Sequence, residues 1–294
     1  MRLPHAAPVV LAAAALLSVT APAGQERPLP DQERFLGDVR KRLQTDSSLQ
    51  SNYIYVETRR EQKLDASGRV KQESVKVYES YPGLPGEDRW ERLISENGRP
   101  RAASDLDKEM RDRQKQAEAM AREAKEQSPA ELARQERERA EQRREFDAVL
   151  DDALVVYNIR MERRGSLNGH ETILFSLTPQ PNATPRTRLG AQLRKFTVRA
   201  WISESDRELV RADAEAIETL SIGFGLLARL HKGAKLSFLR TKVNNEVWLP
   251  LRVSYMGSAR VGLVAVLRRT GTSEFSDYRK FSVETSTTYQ EPTR

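Results

Sequence analysis

The sequence predicts an α+β protein, a curved antiparallel half-barrel sheet wrapped on one helix, with a helical arm inserted between strands. Three observations predict it. Most of the chain alternates apolar and polar residues between short turn signals, the period of half-buried strands. One amphipathic segment of helical period precedes them. A glycine-free, charge-dense stretch from Ser104 to about Ala153 interrupts them.

The elements follow in order. Arg2, the apolar run Val9 to Val19 and the small-x-small site Ala21-Pro22-Ala23 form a secretory signal peptide over 1–23, with 24–30 as a short leader. The apolar run is about half the ~20 residues that a membrane span needs. Asp31 is placed to cap a helix in which Phe35, Leu36, Val39 and Leu43 recur at helical spacing, with Arg40, Lys41 and Arg42 near its end. Tyr53 to Arg60 and Val70 to Glu79 then flank a Ser67-Gly68 turn, and Arg89 to Ser95 leads into Asn97-Gly98. Residues 31–103 are thus the first part of the half-barrel domain.

The insertion, 104–153, divides at Ser128-Pro129. Ser128 as N-cap, Pro129 behind it and Glu131 three residues on make a capping box, so two helices are expected. Their apolar residues are few and small, and only the final turns, with Phe146, Val149, Leu150 and Leu154, look anchored. Such an arm is either a solvated hairpin or a surface that recruits an envelope protein.

Residues 154–294 form the second part of the half-barrel. Val155 to Met161 and Ile173 to Leu177 alternate around Leu167-Asn168-Gly169, and Phe196 to Ile202 returns through Val210 to Ala216. Further strands are expected at Leu236 to Val243, Val247 to Met256, Val261 to Arg268 and Phe275 to Val283. Short turns between successive strands mean antiparallel pairing.

Composition narrows the function. The 294 residues hold no cysteine, three histidines, 38% hydrophobic and 31% charged residues, and a net charge of +7. No disulfide, thiolate nucleophile or iron–sulfur cluster is open to such a chain. It has no Gly-x-Ser-x-Gly elbow, no His-Glu-x-x-His, no P-loop and no dinucleotide fingerprint. His170 and His231 read as surface or structural groups, and the pair Asp151-Asp152, at the end of a polar helix, as solvated carboxylates and not a catalytic pair. No catalytic residue, metal site or cofactor is assigned, and the chain is read as a non-enzyme. Export argues against nucleic acid as the partner of the basic surplus, leaving anionic lipid, lipopolysaccharide, an acidic partner or a generally basic surface with no partner.

Two strand motifs carry a family resemblance. Thr197-Val198-Arg199-Ala200-Trp201-Ile202-Ser203-Glu204, returning through Asp206 to Arg211, resembles the hairpin of the bacterial lipoprotein-sorting proteins of the LolA/LolB type and the related sensor domain of RseB. Asn245 to Pro250 and Phe275 to Phe281 resemble that group's later strands. The charged insertion and Ser203, where aspartate is usual, depart from the pattern. The resemblance implies a periplasmic half-barrel with an apolar cavity for a lipid or lipoprotein acyl chain. It transfers no ligand residue.

The residues alone supply one candidate site. Leu220, Ile222, Phe224, Leu226, Leu227 and Leu230 form the most apolar mature segment, loosened by Gly223 and Gly225 and followed by Arg229, His231 and Lys232. It reads as a mobile connection between strands, an apolar lid whose rim, Arg229 and Lys232, is cationic; the alternative is ordinary core. A lid of this kind would also make peripheral contact with a membrane surface.

Overall fold

The computed structural model describes residues 27–45, 52–84, 87, 89–126, 128–222, 228–261 and 265–281. The signal segment 1–23 lies outside them. Helix α1 (Gln32–Thr45) begins as its sequence demands, with the Arg34 amide donating to Asp31 Oδ1 at 2.9 Å. Strands β1 (Tyr53–Leu64), β2 (Val70–Pro82), β3 (Arg89–Glu96) and β4 (Arg99–Pro100) follow. The arm is α2 (Ala103–Glu126) and α3 (Pro129–Val156). After it come β5 (Tyr157–Leu167), β6 (His170–Pro179), the short α4 (Arg188–Leu193), β7 (Phe196–Ser203) and β8 (Leu209–Ala216). The chain closes with β9 (Leu220–Ile222), β10 (Ala228–Leu230), β11 (Lys235–Val243), β12 (Val247–Val261) and β13 (Ala265–Lys280).

The thirteen strands among the described residues belong to one antiparallel sheet, whose main path runs β4-β3-β2-β1-β13-β12-β11-β8-β7-β6-β5. Its edges, β4 and β5, do not pair, so the sheet is open. Asn97-Gly98 and Asn168-Gly169 turn two of its hairpins with positive φ at both residues, the conformation that matches strand twist. The expected α+β half-barrel with an inserted helical arm is the observed fold.

Helix α1 covers one face of the β5–β8 half. Phe35 stacks on Phe175 with ring centroids 5.7 Å apart, and with Val39, Ile173, Ala200 and Ile202 forms the largest buried cluster. Cross-strand partners share a face, so this face can be followed across the sheet. Ala200 is opposite Ala212, Ala212 opposite Phe238, Ala214 opposite Leu236, Leu236 opposite Tyr255, and Tyr255 opposite Gly271. The α1 face therefore continues beyond α1 on to β11, β12 and β13.

Three expectations need correction. Val155 is helical and half exposed, because α3 runs on to the buried Val156, and β5 starts only at Tyr157. Phe146 and Leu154 do not anchor the arm; both are exposed. The carboxylate expected to be solvated does that work: Asp152, 2% exposed, accepts the Arg186 amide at 2.8 Å and the Thr187 amide and hydroxyl at 2.7 and 2.6 Å. These donors hold its carboxyl below the ordinary aspartate range, the Arg186 amide contributing most. Asp151 pairs with Arg40 of α1 at 2.6 Å.

The arm's helices divide at Ser128 with the capping box complete. Its first helix is docked more firmly than its sparse apolar residues suggest. Arg113, 5% exposed on its side chain, lies 5.3 Å from the Trp90 ring of β3 and pairs with Glu87 at 2.5 Å. Ala117, one turn on, is also buried.

Candidate ligand groove

The α1 face ends in an open apolar groove where β10, β11, β12 and β13 extend past the helix. Its volume is about 340 Å³. Phe196, Leu230, Leu236, Tyr255, Ala259 and Leu267 line it, with Arg269 at one end. Leu236 and Tyr255, large apolar groups, are 46% and 38% exposed. Small residues, Ala234, Gly257 and Ala259, alternate with the large ones in its lining. A Cβ on Gly257 would come 3.0 Å from the Ala234 methyl and 3.2 Å from Leu230 Cδ1. Glycine at that position lets Ala234 and Leu230 pack directly on the strand, the role of a strand glycine where something approaches closely.

Below the groove, Leu220, Ala216 and Ala234 form a buried cluster against Phe196 and Leu230. Tyr255 forms the far wall, and its hydroxyl reaches Glu61 Oε1 at 3.4 Å. Burial, more than the nearby Glu61 carboxylate, raises that phenol above the ordinary tyrosine range.

The structure separates the predicted site residues. Leu230 lines the groove and Leu220 supports it from beneath. Ile222 stands opposite Ala228, and Arg229 stands opposite Ser221 and Arg260. Lys232 is exposed in the bend before β11. Phe224, Leu226 and Leu227 lie outside the described residues. The expectation of a connection without ladder strands is corrected at both ends. Leu220–Ile222 pairs with Ala228–Leu230, and Ala228–Leu230 pairs with Ala259–Val261, because β12 overhangs β11 and offers it free backbone partners.

Strand β12 supplies what the sequence reading missed. A break was expected between Met256 and Val261, yet the strand is continuous and pairs residue by residue with β13 through Gly257↔Arg269, Ser258↔Arg268 and Ala259↔Leu267. The signal was present as the alternation Tyr255, Gly257, Ala259, large then small on one face. Glycine there is a groove floor and not a turn.

Both described histidines make tertiary contacts. His170 packs on the buried Trp248 at 4.6 Å, and His231 Nδ1 lies 3.1 Å from Ser258 Oγ. Among the described residues no group of three His, Asp or Glu could hold a metal ion, and no helix is long and apolar enough to cross a membrane.

No family model and no curated protein matches the chain. Solved structures of low identity resemble it. An outer membrane lipoprotein-sorting protein domain from Vibrio parahaemolyticus is 11% identical, with 86% of this chain and 94% of that chain covered and a TM-score of 0.34. A LolA superfamily protein from Nitrosomonas europaea is 9% identical over 87% and 96% of the two chains, at a TM-score of 0.26. The MucA/MucB complex of Pseudomonas aeruginosa contains a chain 9% identical over 84% and 100%, at 0.20.

Proposed function

We propose that this chain is a non-enzymatic carrier or sensor in the cell envelope, exported by its first 23 residues, that binds a lipid or lipoprotein acyl chain. The groove between Leu230, Leu236, Tyr255 and Leu267 carries this reading. At about 340 Å³ it falls within the ~300–1,000 Å³ of small-molecule sites. Its wall is almost entirely hydrocarbon, so selection there acts on apolar length and shape. Each methylene it takes from water contributes about 0.8 kcal/mol. Native mass spectrometry of protein purified from its own periplasm tests the reading. A co-purifying lipid supports it, and a lipid-free mass that no added acyl amphiphile shifts overturns it.

A second reading rests on a different surface. Phe146 of α3 and Leu189 of α4 are 47% and 55% exposed beside the same shallow groove. In this reading the arm recruits an envelope protein, and a stoichiometric partner bound to lipid-free protein supports it.

A further inference from the structure

At its β13 end the groove meets a second, polar pocket. This pocket, about 150 Å³, is lined by Glu61, Gln62, Lys63, Gln72, Ser74 and Arg269. Arg269 lines both spaces. Lys63 on β1 is directly opposite Arg269 on β13, and Gln72 on β2 is directly opposite Lys63. Two like charges facing each other across adjacent strands are destabilising. Both side chains are exposed, and neither forms an ion pair with a carboxylate among the described residues. The one acid of the pocket, Glu61, faces Tyr255 across the sheet and accepts its hydroxyl. Gln72 and Ser74 add neutral donors beside the two cations.

We infer that the pocket at Lys63 and Arg269 holds the anionic head of the amphiphile whose chain lies in the adjoining groove; this rests on the acyl-binding reading above. An anion between the two side chains replaces their repulsion with two charge-assisted hydrogen bonds. The ligand class is a single-chain amphiphile ending in a phosphate or carboxylate.

The experiment uses the full mature chain and three probes of one chain length, dodecyl phosphate, dodecanoate and zwitterionic dodecyl dimethylamine oxide, titrated calorimetrically below their micelle concentrations. The anionic probes are expected to bind about tenfold tighter than the zwitterion. In a Lys63→Gln variant, which leaves the groove lining intact, that preference falls to about threefold while the zwitterion's affinity is unchanged. Tighter binding of dodecyl phosphate or of dodecanoate identifies the head group, and either supports the inference. Equal affinity for all three in the native chain, or a variant that weakens all three alike, overturns the anion pocket and leaves the acyl groove standing. Binding of none of them overturns the acyl reading itself.

Discussion

The phenol ring of Tyr255 on β12 lies across Gly271, the residue directly opposite it on β13. A methyl group on Gly271 would fall 2.4 Å from the ring. Glycine here lets an aromatic side chain that lines the groove lie close over the neighbouring strand. Gly271→Ala removes that resting place. The ring is the far end of a half-exposed side chain and swings aside cheaply, so thermal stability stays within about 1 kcal/mol of the parent. The displaced ring encroaches on the groove, and affinity for an acyl probe falls. A stability loss with binding intact would mean that the contact is structural only.

Leu236 is half exposed and stands on the groove wall. Leu236→Asp therefore costs little folding free energy, within about 1 kcal/mol. It also puts a carboxylate where an acyl chain would lie, which costs several kcal/mol of binding when that group is desolvated. Urea titration and fluorescent fatty-acid binding measure the two effects separately. Undiminished acyl binding would place the ligand elsewhere.

The joint between arm and sheet is set by Asp152 and Gly190. A Cβ on Gly190, in the first turn of α4, would lie 2.2 Å from Asp152 Oδ2, which holds the N-cap Thr187 just before it. Gly190→Ala is expected to destabilise by about 1–3 kcal/mol through overpacking. Because the folded carboxyl is held below its ordinary value, its contribution is fully present above the unfolded aspartate pKa of about 4 and is lost as pH falls through the lowered folded value. The melting temperature should drop across that acid range, and Asp152→Asn should flatten this part of the drop. An unchanged acid profile in the variant would remove Asp152 from the joint.

Helix α2 docks through Arg113 and Ala117. Arg113→Ala strips the cation from Trp90 and leaves Glu87 unpaired, a loss of about 1–3 kcal/mol once the exposure of Glu87 is allowed for. Deleting the distal part of the arm, Met120 to Arg139, with a short flexible link, leaves these contacts in place. Chemical denaturation should then show a cooperative transition close to the parent's. A larger loss from the distal deletion than from Arg113→Ala would assign the docking to the tip.

The sequence by itself determined the elements whose causes lie within a few residues. Alternation placed β1 to β3, β6 to β8 and β11, Asn97-Gly98 and Asn168-Gly169 placed two turns, Asp31 started α1, and the Ser128–Glu131 box split the arm. Those signals act through φ, side-chain period and local capping bonds, which a short window contains. The groove was decided only by the tertiary structure. Leu230, Leu236, Tyr255 and Leu267 come from four strands, and Gly257 is a floor and not a turn because Arg269 pairs with it across the hairpin. Asp152 is a buried anchor and not a solvated acid because the Arg186 and Thr187 amides arrive from a loop 34 and 35 residues away. Register between distant strands and hydrogen bonds between distant loops depend on the whole folded chain, so no local period encodes them.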